Sequence, residues 1–258
     1  MHLWRSLSDV EPHLVFGWQT EAESVKLPFA VKLNGEALRQ ARQPLDLALS
    51  AVRQELEEIR RFIFQPHLFI FTNAQGIALV AYDQGLLASG AGDEELIGCS
   101  FDVRHAGMTA IGLAMKLQTI CVVDGREHTW DMLWDLSCVC TPITVNGAVT
   151  GYLNFSFPRP FDLTFSIPLL KQLARNIEGA IVRSHPETQR DRTYALFTQF
   201  ELTEREKQIG YAWLRNDCVE HIANACSISE QTVRTHIKNI YSKTKTTSKG
   251  EFFNKFVY

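Results

Sequence analysis

The sequence predicts an α+β domain, an antiparallel sheet with packed helices, followed by an all-α unit of four helices. Three observations carry this reading. Strand-length apolar stretches alternate with helix-period stretches over residues 45–183, an Asn-Gly hairpin signal lies among them, and residues 201–258 show helical periodicity alone. The length of 258 residues suits one large or two modest domains.

Residues 1–44 have weak periodicity spaced by Pro12, Pro28 and Pro44, and are expected to form a partly helical extension. After Pro44, residues Leu45, Leu49, Val52, Leu56, Ile59 and Ile63 make an apolar seam at heptad spacing. That seam fits a helix packed on its own domain, and it fits equally a helix paired across a dimer. HLFIFT (67–72) and IALVAY (77–82) flank a short turn and read as a hairpin. Thr109–Leu117 reads as a helix and Ile120–Val123 as a short buried strand. Ser137–Val145 and Val149–Phe157 flank Asn146-Gly147, a dipeptide suited to the two positive φ angles of a tight hairpin. A last helix over Ser166–Val182 carries Pro168 in its first turn and Leu170, Leu173, Ala174, Ile177 and Ile181 on one face. Residues 184–200 begin polar, lack apolar periodicity, and are expected to be a linker.

Composition narrows the function classes. A content of 45% apolar and 21% charged residues excludes a mainly disordered chain. No apolar run approaches the roughly 18 residues of a membrane span, and MHLWRSLSDVEPHL is not a secretory signal. Six cysteines without framework spacing suit reduced thiols, so a cytoplasmic location is expected. The net charge of −3 is uneven: residues 1–197 hold 17 basic against 22 acidic side chains, residues 198–258 hold 9 against 7. From Gln231 to Gly250 stand Arg234, Lys238, Lys243, Lys245 and Lys249 with no acid, which suits either a solvated helix face or a nucleic-acid-binding module.

In the last sixty or so residues, Thr203-Glu-Arg-Glu206 is a capping box opening a helix that buries Ile209 and Trp213 and stops near Asn216. Val219, Ile222, Ala223 and Cys226 mark a second helix. Ser229 is the N-cap of a third, with Val233, Ile237, Ile240 and Tyr241 inward and Gln231, Arg234, Thr235 and Lys238 on the opposite face. A major groove admits such a helix, and these side chains can meet phosphates and base edges. A fourth helix over Ser248–Val257 carries Phe252, Phe253 and Phe256.

With LTEREKQI followed by HIANACSISEQTVRTHIKNIYSKTKTTSKGEFF, residues Leu202–Val257 resemble the LuxR-type (NarL/FixJ-type) helix-turn-helix domain. The resemblance implies a bacterial transcription regulator whose motif runs from Val219 to Lys238. It places base-reading positions at Arg234, Thr235 and Lys238, backbone contacts near Thr232, Lys243 and Lys245, and dimerisation on the Phe-rich last helix. Asn216 stands where the family has Gly, His221 where it has Glu, and Cys218 where it has a Ser cap, for which Asp217 could substitute.

FIFTNAQGIAL, GMTAIGLAM and GREHTWDMLWDLSCVCTPITVNGAVTGYLNFSF, collinear over residues 45–158, resemble the GAF domain of acetoin-type activators that work with an alternative sigma factor. That family's ATPase domain has no counterpart, since no Gly-rich loop ending in Lys-Ser or Lys-Thr is present. The expected architecture is therefore an extension (1–44), an α+β GAF-like domain for sensing or dimerisation (45–183), a linker (184–200) and an all-α four-helix LuxR-type helix-turn-helix domain (201–258). The GAF resemblance implies a small-molecule pocket, for which Met108, His128, Trp130, Trp134 and Cys138 are candidates, with the loop 83–108 beside it. The aromatic residues also fit plain core positions, Trp130 and Trp134 sharing a face of a short helix.

The leading reading is a homodimeric regulator that binds double-stranded DNA at a two-fold operator and is controlled by a small molecule. RNA polymerase is left open as a further partner, and no membrane, cofactor or metal is called for. Cys138 and Cys140 share a strand face and keep open a thiol-based GAF-fold enzyme or redox sensor, with Cys99 and Cys121 in support, but further metal ligands are missing at convincing spacing. A GAF domain with an empty pocket, used only for dimerisation, is the third reading.

Overall fold

The computed structural model describes residues 4–23, 26–87, 93–160, 163–184 and 186–257. The chain divides into two compact units, Met1–Val182 and Arg183–Tyr258.

In the first unit the N-terminal extension is helical in part, as α1 (Pro12–Glu23) and α2 (Gly35–Arg42). α3 (Asp46–Ile59) follows. Its seam turns inward: Leu49, Val52 and Leu56 are buried, and Leu45, Ile59 and Ile63 pack against the same core. The heptad spacing is therefore used within the unit. β1 (His67–Asn73) and β2 (Ala78–Gln84) form the first hairpin, and Asn73 Oδ1 shapes its turn by accepting from the amides of Gln75 and Ile77 at 3.0 and 2.9 Å. The short helices α4 (Asp93–Leu96) and α5 (Val103–Ala106) precede α6 (Ala110–Leu117), whose N-cap Thr109 accepts from Gly112 N–H at 3.1 Å. β3 (Cys121–Asp124), β4 (Leu136–Val145) and β5 (Ala148–Pro158) complete a sheet in the order β2-β1-β5-β4-β3, antiparallel throughout. Asn146 and Gly147 adopt φ of 51° and 80° between β4 and β5, as that dipeptide predicts. α7 (Leu163–Ser184) closes the unit.

The sheet is covered on both faces, which is why its strands read as nearly unbroken apolar runs. Phe69, Phe71, Val139, Leu153, Phe155 and Phe157 point to α3 and α7. The alternate residues Leu68, Ile70, Cys138, Cys140 and Tyr152 form the other face, under α6. This is the GAF-like α+β fold.

The second unit is helical. Residues 184–200, expected to be a linker, carry α8 (Pro186–Gln199), and Phe197 at its end is fully buried in this unit's core. The polar start of the segment hid the helix, because an amphipathic period cannot be seen with so few apolar positions. α9 (Glu204–Leu214) opens on the predicted capping box. Asn216 takes φ of 67° just past the helix end. α10 (Val219–Cys226) has Cys218 at its N-cap with no side-chain cap bond, and Asp217 does not replace it. α11 (Glu230–Thr244) and α12 (Lys249–Val257) follow. Phe252 and Phe256 are buried against Phe197, with ring centroids 5.9 and 4.9 Å away. Two rings of the Phe-rich helix are thus core of their own unit.

Candidate nucleic-acid interface and candidate ligand cavity

α11 presents the polar face expected of it. Val233, Ile237 and Ile240 are buried, while Gln231, Thr232, Arg234, Thr235 and Lys238 are exposed. The Ser229 hydroxyl accepts from Thr232 N–H at 3.1 Å and fixes the helix start, where groove-reading residues are carried. Arg234 lies 3.4 Å from Glu230 in an exposed pair, worth a few tenths of a kcal/mol and readily exchanged for a phosphate or a base edge. The Thr235 hydroxyl donates to Gln231 carbonyl at 3.0 Å and keeps its lone pairs for an incoming donor. Lys238 and Lys245 are exposed with no ion-pair partner among the described residues.

Lys243 differs from its neighbours. Its ammonium donates to Glu206 Oε2 at 2.7 Å and to Glu201 carbonyl at 3.0 Å. The same Glu206 oxygen accepts from Thr203 N–H at 2.9 Å, so the pair joins the start of α9 to the end of α11. Burial alone would raise the Glu206 pKa, but Lys243 and Thr203 outweigh it and leave the carboxyl below its usual range. Of the six positions carried over to DNA, Lys243 is engaged in bracing the fold.

The first unit contains a cavity of about 340 Å³ on the α6 side of its sheet, within the size range of small-molecule sites. Leu68 and Ile70 of β1, Cys138 of β4, and Asn154 and Ser156 of β5 form its floor, with Ile111 of α6 and its N-cap Thr109 beside them. Phe29, Leu96 and Phe101 line it from the other side, Phe29 and Phe101 lying 5.1 Å apart. Its charged lining residues, Lys32 and Glu95, are exposed, whereas Thr109, His128, Cys138, Asn154 and Ser156 are buried. Lys32 donates to the carbonyls of Glu94 and Glu95 at 3.3 and 2.8 Å, which ties the segment before α2 to α4.

The five candidates separate. His128 and Cys138 line the cavity. Met108 is buried in the adjoining core and is not a lining residue. Trp130 and Trp134 flank a 3-10 turn (Asp131–Leu133) instead of sharing a helix face. Trp130 donates its indole N–H to Ala106 carbonyl at 3.0 Å and Trp134 to His128 carbonyl at 3.1 Å, so both secure the segment that holds His128. Gly107 (φ 71°) is required at that contact, since a Cβ there would lie 2.8 Å from Thr129 and 3.0 Å from the Trp130 nitrogen. Sequence reading missed Asn154 and Ser156, although polar residues alternating with Leu153, Phe155 and Phe157 on a covered strand are a legible sign of a polar spot on a buried face. Of the loop 83–108, residues 88–92 lie outside the described residues.

Cys138 and Cys140 share a face, and Cys121 is paired with Cys140 across strands. Burial pushes the Cys121 and Cys138 thiols up to about 12 and raises Cys140 well above its ordinary value, which disfavours the thiolate that nucleophilic or redox work requires. Among the described residues no group of three or more His, Cys, Asp or Glu is placed to hold a metal ion, and no helix is long and apolar enough to cross a membrane.

Residues 201–254 match the family model of bacterial regulatory proteins, luxR family. The C-terminal unit carries a LuxR-family helix-turn-helix domain, the DNA-binding part of a transcription regulator. No curated protein matches the chain. Among solved structures, the chain is similar to a chain of the E. coli DhaR(N)-DhaL complex, at 15% identity and a TM-score of 0.61, over 72% of this chain and 66% of that one. This chain thus spans just under two thirds of that neighbour, and the likeness is one of fold. A GAF domain/HD domain protein from Geobacter sulfurreducens (12% identity, TM-score 0.39, 54% of this chain and 95% of that one) also aligns. So does the Vibrio cholerae VqmA dimer, described with LuxR-type receptors (19% identity, TM-score 0.28, 77% and 85%).

Proposed function

We propose that this chain is a homodimeric, ligand-responsive transcription regulator, in which the first unit binds a small molecule and thereby sets how the α11 face engages a two-fold DNA site. The observation that carries the DNA-binding half is the exposed Arg234, Thr235 and Lys238 on a helix whose other face is packed core. The cavity supports the sensing half, with His128 and Cys138 among its buried lining. Met108, Trp130 and Trp134 act in this reading as its supports and not as ligand contacts. Buried, protonated thiols favour a regulator over a thiol enzyme.

Dimerisation is assigned to a patch that the core leaves over. With the α3 seam buried, Phe62 and Phe64 just after α3 and Phe165 at the start of α7 remain 69%, 91% and 62% exposed. Large rings left in water suit a self-association surface. A two-fold protein suits two half-sites about one helical turn apart.

The test is selection of duplexes from a random pool by the full chain. Enrichment of an inverted repeat is expected, and retention of duplexes without sequence preference would remove the regulator reading. RNA polymerase enters as a partner only if the selected sites lie beside promoters.

A further inference from the structure

A second concave surface belongs to the helical unit and lies apart from the reading face of α11. Leu196 of α8, Leu214 of α9, and Phe253 and Phe256 of α12 line a groove of about 480 Å³ between these three helices. Leu196 is 37% exposed and Phe253 is only partly buried, so the packing of the unit leaves apolar surface in water there. Arg192 of α8, Arg215 just past α9 and Lys255 of α12 line the same groove, and all are exposed. None of the described lining residues is acidic, and none belongs to α10 or α11. Lys255 donates to Thr244 carbonyl at 2.7 Å and lies 4.6 Å over the Phe200 ring, which holds its charge in place. Arg192 and Arg215 have no ion-pair partner among the described residues.

An apolar groove among exposed charges of one sign selects its occupant. A phosphate backbone would use the cations and leave the apolar surface in water. A second copy set on the groove by a two-fold axis would bring the same cations together, since a two-fold interface puts one patch against itself. The unit is built of helices and offers a peptide no strand edge to extend, so an occupant docks by laying side chains into the groove. We propose that the groove binds an acidic amphipathic helix of a partner protein, its apolar residues seated on Leu196 and Phe253 and its carboxylates meeting Arg192 and Arg215. Because no described residue of α10 or α11 lines the groove, such a partner and DNA can be held at once.

The test uses the full chain and three fluorescein-labelled helical peptides, read by anisotropy at physiological salt. The first has leucines three and four residues apart with glutamate on the other face. The second keeps the leucines and replaces glutamate by lysine, and the third scrambles the first. The glutamate amphipathic peptide is expected to bind about tenfold more tightly than either control, the size that two exposed ion pairs and an apolar stripe support. In the double variant Arg192→Glu, Arg215→Glu the order of the glutamate and lysine peptides is expected to reverse. Should that variant not fold, a photo-reactive leucine in the glutamate peptide is expected to crosslink to α8 and α12 of the unaltered chain. A duplex selected by the chain is expected to leave the peptide bound. Equal binding of the three peptides, an unchanged order in the variant, crosslinks on α10 or α11, or displacement of the peptide by the duplex would overturn the proposal. Self-association of the chain that is lost in the variant would give the groove to a second copy and overturn it as well.

Discussion

Single side chains divide the basic stripe of the last sixty residues into groups with different tasks. If Arg234 reads a base, Arg234→Ala should weaken the selected site by roughly 1–3 kcal/mol and relax preference at one position. Lys245→Ala should weaken all sequences alike and lower the salt slope by about one. Anisotropy titrations at several salt concentrations distinguish the two, and equal sequence-independent losses would remove the reading role from Arg234. Lys243 should behave otherwise, because its ammonium is engaged by Glu206. The Glu206 carboxyl has a folded pKa below its unfolded value of about 4.5, so its contribution to stability is present above that pH and is lost as pH falls through the folded value. Lys243→Met should lower the stability of the second unit at neutral pH and flatten its decline below about pH 4.5, measured by denaturant unfolding across pH. A change in salt slope with unaltered stability would contradict the bracing role. Nothing in the sequence separated Lys243 from Lys245, since the pairing depends on where α9 starts relative to the end of α11.

At the level of elements, local chemistry announced most of the structure. Thr203 and Glu206 capped α9 as their spacing required, Asn146-Gly147 turned the second hairpin, and Ser229 capped α11. What stayed hidden were elements whose apolar positions are few or serve a distant partner. α8 is the clearest case, for Phe197 has meaning only once α12 places Phe252 and Phe256 against it. Phe197→Ala should therefore cost about 3–5 kcal/mol in the unfolding of the second unit, where a linker residue would cost close to nothing. Of the five residues named for a ligand, His128 and Cys138 line the cavity, Met108 lies in the adjoining core, and Trp130 and Trp134 bond to the carbonyls of Ala106 and His128. The cavity's far wall was out of reach, because Phe29 and Phe101 come from segments with no periodicity to read.

For the whole molecule, association and DNA recognition belong together. If Phe62, Phe64 and Phe165 form the self-association patch, Phe64→Ser should shift the chain toward monomer in sedimentation and weaken DNA binding with it, while leaving the fold intact because the residue is 91% exposed. An unchanged dimer would move the interface elsewhere. A two-fold protein would use one helix face per half-site. Sedimentation velocity of the full chain with its selected duplex, beside a scrambled duplex, measures this directly. Two chains per selected duplex and little complex with the scrambled one, the complex being lost in Arg234→Ala, are the predicted results; a single chain per duplex, or equal binding to both sequences, would contradict the account.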